Sequence, residues 1–258
     1  MLFDTHAHLD QEEFDADRQA VVRRAHDAGV TRIVAVGTTA PTSQRCVELA
    51  HQFAGVLAAV GIQPNYTAQV EVGDWDRVVT AADDPRVVAI GETGLDRHWD
   101  YAPFAVQQDF FDRHLRLSQI RGLPFIVHTR ESDADVVAML REARTRGPLS
   151  GVMHSFTGSA ETAAECVELG LFISFAGMVT FKKSDALRAV AATVPAERIV
   201  IETDSPYLAP HPLRGKQNEP ANLVHTARVL AEVRGQSLDE LSRLTTANAC
   251  RLFGVAGN

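Results

Sequence analysis

His6-x-His8 puts two imidazoles on one face of an extended segment, because alternate side chains of a strand point the same way. That pair alone carries little weight. Glu92, His128, His154 and Asp204 strengthen it, since each stands at or just past the end of a short apolar run. Burying so many imidazoles without partners is costly, and a bound cation supplies the partner. Four imidazoles and two carboxylates exceed the needs of one tetrahedral ion. They suit two divalent ions with a carboxylate between them, and Glu92 is placed to bridge the His6/His8 pair and the His128/His154 pair. Two such ions about 3.5–4 Å apart polarise an oxyanion, lower the pKa of a water towards neutrality and stabilise the leaving oxygen. Asp204 can hold one ion and accept the proton of the attacking water. The expected chemistry is metal-assisted hydrolysis, with Asp204 and Glu92 as its catalytic carboxylates. Four imidazoles favour Zn²⁺, Mn²⁺ or Fe²⁺, whereas hard Mg²⁺ prefers oxygen ligands.

These residues must be brought together by the fold. Apolar runs at Leu2–Thr5, Arg32–Val36, Val56–Val60, Val87–Ile90, Pro124–His128, Gly151–His154, Leu171–Phe175 and Arg198–Ile201 read as strands. Helical patterns lie between them at Asp15–Ala28, Thr42–Phe53, Val106–Arg121, Asp133–Arg144 and Ser159–Leu169. Ser132-x-x-Asp135 and Ser237-x-x-Glu240 have the spacing of capping boxes. Gly29, Gly122 and Gly170 fall where helices need a left-handed residue to stop. Continuous runs such as Ile33-Val34-Ala35-Val36 indicate strands buried on both faces, hence a parallel sheet covered by helices. Eight β/α units in 258 residues predict an α/β fold, a closed (β/α)8 TIM barrel in one domain, residues 1–258. In a barrel the C-terminal strand ends share one mouth and the eighth strand lies beside the first, so closure gathers all six candidates. An open doubly wound sheet would not, and it lacks the GxGxxG or GxxxxGK[ST] signature of its nucleotide-binding forms.

Composition narrows the function further. The chain is 45% apolar and 22% charged, with a formal charge of −8, so it has no means of coating polyphosphate non-specifically. A nucleic acid would have to be met at a local site. Cys46, Cys166 and Cys250 form neither a CxxC nor an even set, which excludes a disulfide framework and a thiolate zinc knuckle. The N-terminus lacks the basic and apolar regions of a signal peptide, and the mostly apolar stretch Leu169–Phe181 is too short to span a bilayer. The expectation is a cytoplasmic protein with no membrane contact and no obligate protein partner.

Several segments resemble one family. Leu2-Phe3-Asp4-Thr5-His6-Ala7-His8-Leu9-Asp10 resembles the first signature of TatD-type metal-dependent deoxyribonucleases. Gly91-Glu92-Thr93-Gly94-Leu95-Asp96, Pro124-Phe125-Ile126-Val127-His128-Thr129-Arg130, His154-Ser155-Phe156-Thr157-Gly158 and Ile201-Glu202-Thr203-Asp204-Ser205-Pro206 resemble its later segments, in order. Arg214-Gly215-Lys216-x-Asn218-Glu219-Pro220 and the tail Thr246-Ala247-Asn248-Ala249 also fit. The resemblance implies an amidohydrolase-like TIM barrel and hydrolysis of DNA phosphodiester bonds, often from a 3′ end. The DNA would be single-stranded or offer a 3′ end. It implies activity with Mg²⁺ or Mn²⁺; the imidazoles themselves predict Zn²⁺ or another transition metal in the purified protein. By motif position it makes His6, His8, Glu92, His128, His154 and Asp204 the metal ligands. Where the family often has G-x-H-P-H, this chain reads Gly61-Ile62-Gln63-Pro64-Asn65, so amides replace both histidines. Gln63 can still hydrogen-bond a phosphate oxygen but cannot shuttle a proton. Arg97-His98-Trp99-Asp100 also departs from the family, and His98 or Trp99 would either line the cleft or pack on the rim.

Supporting roles are read from position. Gln63, Arg130 and Arg214 are the candidate substrate contacts, although for Arg130 a structural ion pair is favoured. Glu202 either orients a ligand histidine through its free ring N–H or forms a core ion pair. Lys182, Lys183 and Lys216, the only lysines, fall after the last two strands, where they could meet a nucleic-acid backbone or merely face solvent. Phe175 and Phe181 could stack on bases, but core packing is favoured. His26, His51, His114, His225, His98 and His211 are expected to be packed or solvated. Two other functions compete. One is ester or amide hydrolysis, to which the family resemblance adds deacylation of D-aminoacyl-tRNA. It is weakened because no lysine precedes Lys182 to serve as a carbamylated bridge on the fourth strand. The other is a nucleic-acid-binding module whose catalysis has decayed, against which the complete ligand set argues.

Overall fold

A computed structural model describes residues 1–256. Among them are β1 (Leu2–Ala7), β2 (Val30–Val36), β3 (Val56–Val60), β4 (Val87–Asp96), β5 (Phe125–Arg130), β6 (Gly151–Met153), β7 (Leu171–Phe175) and β8 (Ile199–Ile201). The helices are α1 (Arg18–Asp27), α2 (Ala40–Gln52), α3 (Asp74–Ala81), α4 (Phe104–Arg121), α5 (Asp133–Arg146), α6 (Ala160–Glu168), α7 (Asp185–Thr193), α8 (Leu223–Val233) and α9 (Leu238–Phe253). The strands pair in parallel in sequence order, β1 to β8. The seam between β8 and β1 is joined by an Ala7–Ser205 bridge, by Asp204 N donating to His6 O at 2.9 Å and by His8 N donating to Ser205 O at 2.8 Å. The result is a nearly closed TIM barrel, as the apolar strand runs predict.

Both faces of the strands are apolar, and they serve different layers. Val34, Val36, Ile126, Val152, Phe172 and Val200 point into the barrel, while their neighbours Ile33, Ala35, Val127, Met153, Ile173 and Ile201 pack under the helices. Period two then continues past the core: His128 follows Ile126, and His154 follows Val152, so both imidazoles point inward at the mouth. At the other end α9 closes the barrel, with Phe253 against Phe3 at 5.7 Å between ring centroids. That apolar plug leaves the strand C-termini as the open end.

Some boundaries differ from the sequence expectation. β4 runs to Asp96, not Ile90, because Gly91 and Gly94 interrupt its apolar run without ending the strand. Gly94 has φ +136°, and a Cβ there would sit 2.0 Å from the His128 carbonyl oxygen, so only glycine lets β4 approach β5 at that point. The helix expected from Thr42 starts at Ala40, capped by Thr39 in a reciprocal box with Thr42. The Ser237–Glu240 box forms. The Ser132 box does not: the Ser132 hydroxyl donates to Leu95 O at 2.7 Å, so β4 takes the group that would have capped α5. The segment Leu169–Phe181 is a helix end, β7 and a turn, and among the described residues no helix is long and apolar enough to cross a membrane.

Candidate metal centre

Six side chains from strands or strand ends meet at the open end of the barrel. Glu92 lies between two pairs of histidines and turns one oxygen to each. Its Oε2 is 3.5 Å from His6 Nε2 and 3.7 Å from His8 Nε2, and its Oε1 is 2.9 Å from His128 Nδ1 and 3.2 Å from His154 Nε2. Asp204 joins the first pair, with Oδ1 3.5 Å from His8 Nε2 and 3.7 Å from His6 Nε2. The seam positions Asp204: its N–H is held by His6 O and its carbonyl receives Tyr207 N, which keeps its backbone at φ +55°. Asp tolerates that left-handed conformation better than most residues.

A further set of groups fixes three of the four imidazoles from behind. His8 Nδ1 donates to Val36 O at 2.9 Å. His128 Nε2 meets Asp96 Oδ2 at 3.0 Å, and that same oxygen accepts from Asn65 Nδ2 at 3.0 Å. His154 Nδ1 faces Glu202 Oε1 at 3.3 Å; Glu202 also accepts from Ser155 N and from the Ser174 hydroxyl, each at 2.6 Å. Glu202 therefore orients a histidine. His6 stacks on His154, 4.1 Å between centroids, and its Nδ1 is buried without a hydrogen-bond partner. Asp4 ties β1 to the β8 end, accepting from Thr203 N at 2.9 Å and meeting the Thr203 hydroxyl at 2.5 Å.

The electrostatics fit a cation. Burial opposes ionisation of Glu92, but the surrounding imidazoles of His154, His128 and His6 hold its carboxyl well below the usual range. Asp204 is likewise held low against burial by His8, His6 and His154. In return, His8 is raised to about 9 against its burial by Asp204 and Glu92, and His154 and His128 are raised by their carboxylate partners. Burial and the neighbouring His154 lower His6, favouring the neutral imidazole that a metal requires. Nitrogens and oxygens thus converge in three overlapping clusters that could each hold an ion, His6/His8/Glu92, Glu92/His128/His154 and His6/His154/Glu202, and Glu92 is common to the first two. The donor set fits the divalent ions that the residue types predict.

The site floors a cavity of about 470 Å³, whose lining includes Gln63, Tyr66, Arg130, Met178, Tyr207 and Leu208. Gln63 and Arg130 lie where the sequence puts them. Arg130 is in no ion pair among the described residues, contrary to the expectation; its guanidinium lies instead over the Trp99 ring, 5.5 Å from the centroid. Arg214 is outside the cavity lining, over the Phe181 ring at 4.0 Å. Lys182, Lys183 and Lys216 are exposed and also outside it. Phe175 is core, as favoured, and His98 pairs with Glu131 on the rim. Sequence reasoning assigned no role to Asp4, Asn65, Asp96, Tyr66 or Tyr207. Asp96 stands four residues after Glu92 on one strand, and period two alone would have put both on the same face.

A family model described as "TatD related DNase" matches residues 3–254. The chain belongs to the TatD family of metal-dependent hydrolases. It is 41% identical to the uncharacterized metal-dependent hydrolase YabD of Bacillus subtilis over 99% of this chain and all of that protein. It is 35% identical to the protein named 3′-5′ ssDNA/RNA exonuclease TatD of Citrobacter koseri, over 99% of this chain and 100% of that one. Among solved structures, the TatD homologue YJJV of Escherichia coli K12 superposes with a TM-score of 0.92 at 31% identity, covering 99% of this chain and 98% of that one. TatD membership and the convergent His and carboxylate groups agree on a metal-dependent hydrolase.

Proposed function

We propose that this TatD-family hydrolase cleaves DNA phosphodiester bonds, removing nucleotides from the 3′ end of single-stranded DNA with two divalent ions. The observation that carries this reading is the Glu92 carboxylate spread between two histidine pairs, one oxygen facing each. His6, His8, Glu92 and Asp204 would hold one ion, and Glu92, His128 and His154 the other. Mg²⁺ or Mn²⁺ would serve in activity, and Zn²⁺ suits the imidazoles of the purified protein. Bound there, the ions would supply Lewis-acid stabilisation of developing negative charge and a water of near-neutral pKa.

The chain's own residues do the rest. Asp204 stays ionised at neutral pH and is positioned to accept the proton of the attacking water. Val36 O, Asp96 and Glu202 face the outer nitrogens of three ligand imidazoles and fix their rings, so that an ion can take each inward nitrogen once it displaces the proton there. Gln63 and Arg130 would contact the phosphate, the amide as a hydrogen-bond donor and the guanidinium as a charge. Arg214 would act only on a substrate long enough to leave the cavity. The small cavity, with one arginine and no lysine in its lining, suits a strand end better than a duplex. The exonuclease name of the Citrobacter relative supports the same substrate.

The test is digestion of 3′-labelled and 5′-labelled single strands under titrated Mg²⁺ or Mn²⁺. Wild type should shorten the 5′-labelled strand stepwise and release the 3′ label first, while Glu92→Gln and Asp204→Asn should not. Equal activity in all three proteins, or none with any metal, rejects the proposal. The same preparations assayed on aminoacyl esters would expose an ester hydrolase.

A further inference from the structure

The loop after β4 leaves two aromatic rings in solvent beside the cavity, and the reaction proposed above uses neither. Trp99 is 42% exposed and Tyr101 58%. Their rings stack, with centroids 5.3 Å apart and planes within 12°. The Arg130 guanidinium lies over Trp99 at 5.5 Å and also lines the cavity, so it joins this stack to the mouth of the site. The loop is held firmly at its base. Asp96 Oδ1 accepts from His98 N at 2.8 Å and Trp99 N at 3.1 Å, while its Oδ2 meets His128. Arg97 pairs with Asp135 at 2.8 Å and covers the Phe104 ring at 3.7 Å. The rings are therefore set at a fixed position relative to His128, one carboxylate away from it. Leaving two large rings in water forgoes the stabilisation their burial would give, so the arrangement points to a flat ligand.

An unpaired nucleobase is such a ligand, because every base offers a π-face and stacking is tolerant of sequence. Charge points the same way. A chain of net charge −8 has no broad cationic track along which to hold a strand, so base contacts would add to the grip beyond the first phosphates. We propose that Trp99 and Tyr101 form a stacking platform for an unpaired base of a single-stranded polynucleotide, outside the nucleotide held in the cavity. The platform rests on the nucleic-acid reading of that cavity and adds the reason for single-strand preference: bases of a duplex are already stacked and gain nothing there.

The test uses the metal-loaded protein and fluorescently labelled, phosphorothioate-linked oligothymidylates, whose linkage suppresses turnover, with binding read by anisotropy. Tyr101→Ala and Trp99→Ala should each bind about tenfold more weakly, the loss expected for one base–aromatic stack. An abasic oligomer of the same length should bind all the proteins alike, and Trp99→Phe should retain most of the affinity. Tyr101 is exposed enough that its removal leaves the fold intact. Unchanged affinity in Tyr101→Ala, an equal loss on the abasic oligomer, or no binding by wild type overturns the platform. Hydrolysis of a dinucleotide, too short to reach the loop, is read alongside. If it persists unchanged while the affinity differences are absent, the platform alone falls. If wild type hydrolyses no substrate, the nuclease reading falls, and the anisotropy still decides the platform.

Discussion

Glu202 is buried completely and acts behind His154, so its replacement separates what the metal centre needs from what the fold needs. In Glu202→Gln the amide oxygen can take the place of Oε1 and keep its contacts with Ser155 N and His154 Nδ1. The amide nitrogen can then donate to the Ser174 hydroxyl, which is free to turn towards Thr5 Oγ1 at 3.4 Å. Every buried polar atom stays paired, so the stability change should lie within about 1 kcal/mol. The negative charge behind the imidazole is lost, however. Losing such a supporting carboxylate weakens metal binding about 10–100-fold, or roughly 1.4–2.7 kcal/mol. Glu202→Ala strands two buried donors, Ser155 N and His154 Nδ1, at about 1–3 kcal/mol each, giving about 2–6 kcal/mol of destabilisation. Urea unfolding of the metal-stripped protein measures the first quantity, and competition with a chromophoric chelator measures the second. If Glu202→Gln binds metal as tightly as wild type, the charge behind His154 adds nothing to metal binding; if Glu202→Ala does so too, Glu202 does not orient a ligand.

Other expectations follow from the same geometry. Glu92→Gln keeps the volume but removes the charge between the histidine pairs, so metal occupancy should fall and hydrolysis drop by at least about 100-fold, with thermal unfolding of the stripped protein little changed. The carboxylates hold protons on His8, raised to about 9, and on His154, and an incoming ion must displace them. Metal binding should therefore tighten as pH rises towards 9 and release protons near neutrality. Calorimetry in buffers of different ionisation heat should detect that release, and a buffer-independent heat would contradict it. His114 is buried, accepts from Ile62 N at 2.9 Å and donates to Phe110 O at 2.6 Å, and burial lowers its pKa from 6.5 to about 4. Its neutral form is the folded form, so its contribution is full above pH 6.5 and about 3 kcal/mol is lost as pH falls to 4. His114→Gln should flatten the stability profile across that window; an unchanged slope would show that another group titrates there.

The ligand candidates were legible because a barrel maps strand order onto one rim. His6, His8, His128, His154 and Asp204 needed only their places at strand ends, and closure supplied the rest. What stands behind them was harder to see. Asp96 and Asn65 meet only because β4 continues through Gly91 and Gly94, where the apolar run stops signalling a strand. Ser132 has the spacing of a cap but faces a carbonyl of the neighbouring strand, a tertiary competitor that local spacing does not reveal. The place of Arg130, two residues past His128, points to a carboxylate or a phosphate as its partner. Its actual neighbour, Trp99, comes from a loop about thirty residues earlier in the chain. α3 and α7, of 8 and 9 residues, lack the flanking Ser159 cap and Gly170 stop that mark the equally short α6 in the sequence.

Glu92 should lie between two cations. Anomalous diffraction from crystals grown with Mn²⁺ measures this directly. It should show two peaks flanking the Glu92 carboxylate, one beside His6, His8 and Asp204 and the other beside His128 and His154. A single peak, or ions bound away from Glu92, would contradict it.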